Sequence, residues 1–409
     1  MNILLINHYV GSPDMGMEFR PYYFAKEWIK IGHHVRMIGA SYSHLRIKNP
    51  EVAGDFQKEI IDGITYYWIK TGAYEGNGIK RALTMFQFVG KIWLKAGEIA
   101  EKWKPDVVIT SSTYPLDTYA GQRIAKLSGA RLIHEVHDMW PATLTEVGGM
   151  NKYHPFVVLL QMAENSAYRH SRYVVSLLPL AKEYMIKHGM DAGKFIQIPN
   201  GIVLEDWKEP GDLPVNQKRL LEELKQNGKF IVGYFGGHAL SNALDVLLDA
   251  AKRIREKNIC FALVGNGVEK TRLMGRAKKE KIENVHFIDA IPKKAIPALL
   301  DYFDCIYMGV WNSPLYRFGI CLNKMYDSMM AGKPILCAIN TPICPVEEYQ
   351  CGIIVNGIDT DEIVKAAESL FRMSKDERRS MGEQGKQAVL KHFTYDILAA
   401  KFEKLFKEA

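Results

Sequence analysis

Short runs of apolar, largely β-branched residues alternate along the chain with longer stretches whose apolar positions recur at helical spacing. In the first half Ile3 to Ile6, His34 to Ile38, Asp106 to Thr110, Arg131 to Val136 and Tyr173 to Leu177 read as strands. In the second half Phe230 to Phe235, Cys260 to Val264, Val285 to Ile288, Cys305 to Met308 and Ile335 to Ala338 repeat the scheme. Such alternation predicts an α/β chain of parallel strands joined by crossovers, with helices on both faces of each sheet. At 409 residues the chain exceeds what one core ordinarily holds, so two doubly wound, Rossmann-like domains are expected. Pro199, Pro210, Gly211 and Pro214 break the periodicity before the strand at Phe230, which places the boundary between Asn200 and Gly228. The expected domains are 1–205 and 206–390, with a helix over 391–409 packing back on the first. Ligands of open parallel sheets sit beyond the carboxyl ends of the strands, so the domains are expected to face a central cleft lined by those loops.

Composition narrows the class. With 47% hydrophobic and 24% charged residues and no run of about 18 apolar residues, the chain reads as globular and not membrane-spanning. Met1 to His8 has no basic lead and no cleavage site, so it reads as a first core strand, and a cytoplasmic protein is expected. Six cysteines, at 260, 305, 321, 337, 344 and 351, form no Cys-x-x-Cys pair, which argues against a zinc site and a disulfide scaffold. The net charge of +7 suits phosphates, an anionic membrane surface or RNA about equally, so the choice falls to the motifs.

Gly319 to Pro334 joins a loop, a cation and a helix start. A helix opening at Leu322 and Asn323 aims unpaired N–H groups and the positive end of its dipole at an anion, with Lys324 beside it and Asp327 one turn on. That outlines a nucleotide diphosphate site; the plainer reading is an exposed helix end with a solvated lysine. The loop after the first strand carries Gly11 and Gly16, which let backbone approach a phosphate or sugar, and Arg20 supplies a cation; sterics alone also explain such glycines. His134 to Pro141 ends a strand and presents His137 and Asp138, where a neighbouring carboxylate would hold the imidazole tautomer or raise its basicity. Positions 134 and 137 face opposite sides of a strand, so one metal ion does not easily take both, and a structural histidine is the plainer reading. Gly233 to Asn242 is again strand, glycine loop and helix, with Gly237, His238 and Asn242 at the turn, while Gly265-Asn266-Gly267 lacks the remainder of a dinucleotide fingerprint. Asp359-Thr360-Asp361 imitates a metal-binding pair but precedes the helical run Ile363 to Phe371, so it reads as an N-cap. Ile79 to Lys104 mixes Phe86, Phe88, Trp93 and Trp103 with Lys80, Arg81, Lys91, Lys95, Lys102 and Lys104; it suits an anionic bilayer surface or, more plainly, a packing helix with a solvated basic face.

In order along the chain these segments resemble family 4 glycosyltransferases, GT-B enzymes that move a sugar from a nucleotide diphosphate to an acceptor hydroxyl. The glycine loop, Gly32-His33-His34-Val35, His137-Asp138, Pro199-Asn200-Gly201, Gly236-Gly237, Val264-Gly265 and the Asn323-Lys324-x-x-Asp327 segment carry the resemblance. It implies a metal-independent, cofactor-free, retaining transferase with a nucleotide-sugar donor, UDP-linked, and a lipid-linked or saccharide acceptor, with peripheral contact to the anionic inner membrane and no nucleic acid. His137 and Asp138 then lie on the acceptor side, Lys324 stabilises the leaving diphosphate, and Gly11, Gly16, Arg20, Asn200, Gly237, His238, Asn242, Gly265, Arg317, Leu322, Asn323 and Asp327 line the substrates. The chain departs from the family pattern in two places: His238 and Asn242 stand where an arginine and a lysine are usual, and Gly319 stands where the first of two glutamates is usual. The shorter Asn-Lys-x-x-Asp form resembles members that build bacterial surface polysaccharides, with an N-acetylated hexosamine or deoxyhexosamine as the expected sugar. Two other classes share the fold: a nucleotide-sugar 2-epimerase, with Glu135, Asp138 and Glu146 as its candidate carboxylates, and a non-catalytic nucleotide-sugar-binding subunit.

Overall fold

The computed structural model describes residues 1–16, 19–76 and 78–407, so Glu408 and Ala409, the end of the expected C-terminal helix, lie outside the described residues, as does Met17 of the first loop. The chain forms two compact units, Met1–Pro199 with Tyr395–Ala409, and Asn200–Thr394.

The first unit is built on β1 (Asn2–Ile6), β2 (His34–Ala40), β3 (Gln57–Ile61), β4 (Ile64–Ile69), β5 (Val107–Thr110), β6 (Arg131–Val136), β7 (Tyr173–Ser176) and β8 (Phe195–Gln197). Their order is β3-β4-β2-β1-β5-β6-β7-β8, and every pairing is parallel except β3 with β4. All five strands expected here are present. The β3–β4 hairpin and β8 were not expected and correct that reading: Asp62 (φ 49°) and Gly63 (φ 82°) make a two-residue turn that pairs an exposed, polar strand to the sheet edge.

One face is covered by helices Ile79–Trp103 and Asp117–Ser128. Phe88, Ile92, Ala96 and Ile99 of the longer helix bury with Ala120 and Ile124 against Leu4, Ile6, Ile38 and Val108. Trp103 stacks on Tyr67 at 4.2 Å, while Leu83, Phe86, Trp93 and Leu94 stay exposed. Helices Phe19–Lys30 and Tyr395–Lys407 pack together in the same unit through aromatic rings. Trp28 lies edge-on to Phe402 and Phe406, both at 5.2 Å, stacks on Phe24 at 5.5 Å, and donates its indole N–H to the Ala399 carbonyl. Full burial of such rings contributes about 1.5–3 kcal/mol each, which is why the last helix belongs to the first unit.

The second unit carries β9 (Phe230–Phe235), β10 (Ile259–Val264), β11 (Val285–Ile288), β12 (Cys305–Gly309), β13 (Ile335–Ala338) and β14 (Gly352–Val355) in the order β11-β10-β9-β12-β13-β14, all parallel. β9, β10, β12 and β13 are buried along their whole length, as parallel strands covered on both faces must be, and their apolar runs were legible; β14 was not expected. Helix Asn323–Met330 sinks Met325, Tyr326 and Met329 into a core with Ile335, Cys337, Ala388 and Val389, leaving Asn323, Lys324 and Asp327 on its outer side. The main chain enters and leaves this unit side by side, the Ile202 N–H donating to the Phe393 carbonyl at 2.9 Å.

Phe402→Ala is expected to cost about 3–5 kcal/mol in urea unfolding; a loss under about 1 kcal/mol would show that the C-terminal helix is not part of the first unit's core.

Candidate functional site

In the second unit the site grows from the carboxyl ends of β9 and β10. β9 leads into the exposed Gly236 and Gly237, and β10 into Gly265-Asn266-Gly267. The two loops are stitched together, the His238 N–H donating to the Asn266 carbonyl at 2.9 Å and the Glu269 N–H to the His238 carbonyl at 3.0 Å. A Cβ on Gly265 would lie 1.9 Å from the Gly236 carbonyl oxygen, so this glycine is required by backbone meeting backbone. His238 is fully buried, and both ring nitrogens lack a hydrogen-bond partner among the described residues. Burial, aided by Lys270, pushes its pKa down to about 4, so the imidazole is neutral at pH 7 and brings no charge to the loop.

The charge comes from Lys324. Helix Asn323–Met330 starts after Leu322, which is extended (φ −80°, ψ 129°), so the first-turn N–H groups point outward at the strand ends. The Lys324 Nζ donates to Asn242 Oδ1 at 3.0 Å and lies 4.7 Å above the Tyr234 ring. Asn242 in turn donates to the Gly237 carbonyl at 2.9 Å, which also accepts the Tyr234 hydroxyl at 2.7 Å. Tyr234, absent from the sequence reading, thus anchors both the loop and the cation. Burial lowers the Lys324 pKa to about 8, and among the described residues no carboxylate pairs with it. Asn200, expected to meet substrate, braces this helix start: its backbone N–H lies 3.1 Å from Cys321 Sγ and its side-chain amide donates to the Cys321 carbonyl at 3.1 Å.

Asp327 is half-buried and receives a hydrogen bond from the Trp207 side chain, with Lys293 and Asp206 nearby. Burial raises its pKa to about 6, Lys293 opposing the rise. Trp207, Lys293 and Asp206 lie far away in sequence and carried no signal of this role. Gly319 has φ 89°, a region that disfavours L side chains, so a glutamate at this place would require a different loop. Arg317 is exposed on its own turn, donating to the Pro314 carbonyl at 2.7 Å and lying over Phe318. Asp359 caps helix Thr360–Arg372, accepting from the N–H groups of Asp361 and Glu362 at 2.9 and 3.1 Å, as its sequence setting indicated.

In the first unit the site lies at the carboxyl ends of β1, β5 and β6. His137 Nε2 is 2.8 Å from Ser111 Oγ and 3.1 Å from Glu135 Oε2. The carboxylate at its side is therefore Glu135, while Asp138 is exposed. His134 turns the other way, its Nδ1 2.9 Å from Thr110 Oγ1, so the two histidines do not converge. Arg20 is 4% exposed and spends its guanidinium on Glu135 and on the carbonyls of Ile198 and Pro199. Gly11 gives its carbonyl to the Tyr66 hydroxyl at 2.8 Å, and Gly16 packs on Ile47. Among the described residues no group of three or more His, Cys, Asp or Glu side chains is placed to hold a metal ion, and no helix is long and apolar enough to cross a membrane.

Two family descriptions match the chain, a glycosyl transferase 4-like domain over residues 15–201 and glycosyl transferases group 1 over residues 217–388. A protein of Escherichia coli (strain K12) named as a colanic acid biosynthesis glycosyl transferase, WcaI, is 27% identical over 288 residues, 68% of this chain and 69% of that one. Among solved structures, sucrose-phosphate synthase from Thermosynechococcus elongatus superposes with a TM-score of 0.74 at 17% identity, covering 99% of this chain and 98% of the other. Anabaena HepE in complex with UDP-glucose does so at 0.68 and 15% identity, covering 99% of each chain.

Replacing Asn242 by Asp would hand the Lys324 ammonium a permanent counter-ion. Asn242→Asp is expected to weaken binding of a nucleoside diphosphate at least about tenfold by calorimetry, because the carboxylate competes with the phosphates for the same charge; unchanged affinity would remove Lys324 from the anion site.

Proposed function

The chain is a family 4 glycosyltransferase of the GT-B fold, and on that premise we propose that it is a metal-independent, retaining enzyme of surface polysaccharide assembly. It transfers a sugar, an N-acetylated hexosamine or deoxyhexosamine, from a UDP-linked donor to a lipid-linked or saccharide acceptor. The relative named for colanic acid biosynthesis and the UDP-glucose held by Anabaena HepE support that choice of pathway class and nucleotide.

One observation carries the reading: a desolvated lysine with no carboxylate partner among the described residues stands at a helix N-terminus, beside two glycine loops. As the bond from the sugar to the diphosphate breaks, negative charge grows on the departing phosphate. The Lys324 ammonium and the amides of Asn323 and Lys324 are already oriented toward it and need no rearrangement during reaction. The leaving phosphate takes the acceptor proton as the acceptor oxygen bonds to the same face of the sugar, so no separate protein base is needed. Asp327 in its ionised form accepts from the ribose hydroxyls. His137 lines the acceptor side. Exposed Leu83, Phe86 and Trp93 on the basic helix Ile79–Trp103 give a lipid-linked acceptor's membrane a surface to meet.

Turnover of a radiolabelled UDP-sugar with and without a lipid-linked acceptor tests the reading. Transfer only with acceptor, undiminished by EDTA, is the expected result; conversion of the sugar without acceptor would mark an epimerase, and binding without either reaction a non-catalytic subunit. Lys324→Ala is expected to slow transfer about 10²- to 10³-fold with folding intact. Asp327 must be ionised and Lys324 protonated, so kcat/KM for the donor should rise through pH about 6 and fall through pH about 8. A profile flat from pH 7 to 9 would take the lysine out of the mechanism.

A further inference from the structure

A buried ion pair stands behind His137. Arg20 and Glu135 are 4% and 1% exposed, and the attraction of a buried pair barely recovers the hydration it gives up, so its value lies in what it holds in place. Glu135 divides its two oxygens. Oε1 takes Arg20, at 3.0 Å from Nε and 2.9 Å from Nη2. Oε2 takes Ser111 Oγ at 2.5 Å and His137 Nε2 at 3.1 Å. The Ser111 hydroxyl has one proton, and the carboxylate, having none, receives it; a lone pair of the same hydroxyl therefore meets His137 Nε2 at 2.8 Å. These two neighbours of Nε2 among the described residues are then acceptors, which assigns the ring proton to Nε2.

Other charged groups surround the imidazole. His134 shares β6, Asp117 opens helix Asp117–Ser128, Asp138 follows on the same loop, and Arg81 acts on Asp138 from helix Ile79–Trp103. Desolvation raises the Asp117 carboxyl, to about 7, and raises that of Asp138 as well, whereas Glu135, despite its burial, is kept ionised by Arg20 and His137. Among the described residues the carboxylate in contact with His137 is Glu135.

We infer that Glu135, clamped by Arg20 and bridged by Ser111, is the positioning residue that fixes the Nε2–H tautomer of His137 and sets the basicity with which this histidine meets the acceptor. Arg20 accordingly acts through Glu135 and reaches no ligand itself. Its other hydrogen bonds, to the carbonyls of Ile198 and Pro199, tie the same clamp to the last residues before Asn200. The inference rests on the transferase reading for the part His137 plays, but not for the state of its ring.

The test is ¹⁵N NMR of the full-length protein labelled at histidine nitrogen, with the His137 signals assigned by their loss in His137→Gln. The wild-type ring should show the Nε2–H pattern. Glu135→Gln should lower its pKa by about one to three units. Asp138→Asn should move it less than Glu135→Gln. An Nδ1–H ring in the wild type, a pKa indifferent to Glu135→Gln, or a larger shift from Asp138→Asn would overturn the assignment. Should Glu135→Gln not fold, the titration is made on Glu135→Asp, which shortens the side chain and draws the charge away from Nε2; a pKa that does not fall overturns the assignment. Because the ring is read directly, the result stands whether or not the chain transfers sugar; in the transfer assay Glu135→Gln is expected to lower kcat at least about tenfold with donor KM within about twofold.

Discussion

An ammonium withdrawn from water, with no carboxylate beside it among the described residues, is the constraint around which the second unit is arranged. Among the described residues Lys324 has an amide oxygen and an aromatic face, and no carboxylate, beside its charge. A cation over a ring recovers about 0.5–2 kcal/mol, less than hydration gave, and the depressed pKa records the difference. Such a site is short of negative charge, and the shortage is met by an anion from outside. The chemistry of the anion follows from the surroundings: a lysine is a compact point charge suited to phosphate oxygens, and the adjoining helix end offers further N–H donors at the same place.

The first unit uses charge in the opposite way. There the buried guanidinium and carboxylate of Arg20 and Glu135 are fully matched, so nothing is left for a ligand and their effect is passed to His137. Removing one partner of such a pair costs about 3–5 kcal/mol through the charge left behind. Matched charge builds a support; unmatched charge builds a binding site. Both arrangements hang from the carboxyl ends of parallel strands, where the loops escape the hydrogen-bond ladder and are free to carry function.

Most strands were legible because a parallel strand covered on both faces is written as an unbroken apolar run, as in Phe230 to Phe235. The hairpin β3–β4 was not, because Gln57 to Ile61 is largely exposed and mostly polar, although Asp62-Gly63 is a two-residue hairpin signal. β8 and β14 are short edge strands with only partly buried residues, which leaves them almost no pattern to read. In the site, Lys324 and its helix start could be read locally. Its contact with Asn242 spans 82 residues of sequence and could not. The pairing of His137 with Glu135 was within reach: residues two apart on an extended chain share a face, whereas Asp138, one apart, does not. The burial of Arg20 and the neutrality of His238 depend on what the fold packs around them, and no local pattern encodes either.

The claim at the centre is that Lys324 holds an incomplete charge which a nucleoside diphosphate completes. Titrating the Nζ of Lys324 by ¹⁵N NMR in lysine-labelled protein, with and without saturating UDP, measures this directly. The account requires a pKa of about 8 in the free protein, rising toward the ordinary lysine value when the nucleotide is bound. A pKa near that of a solvated lysine in the free protein, unmoved by UDP, would contradict it.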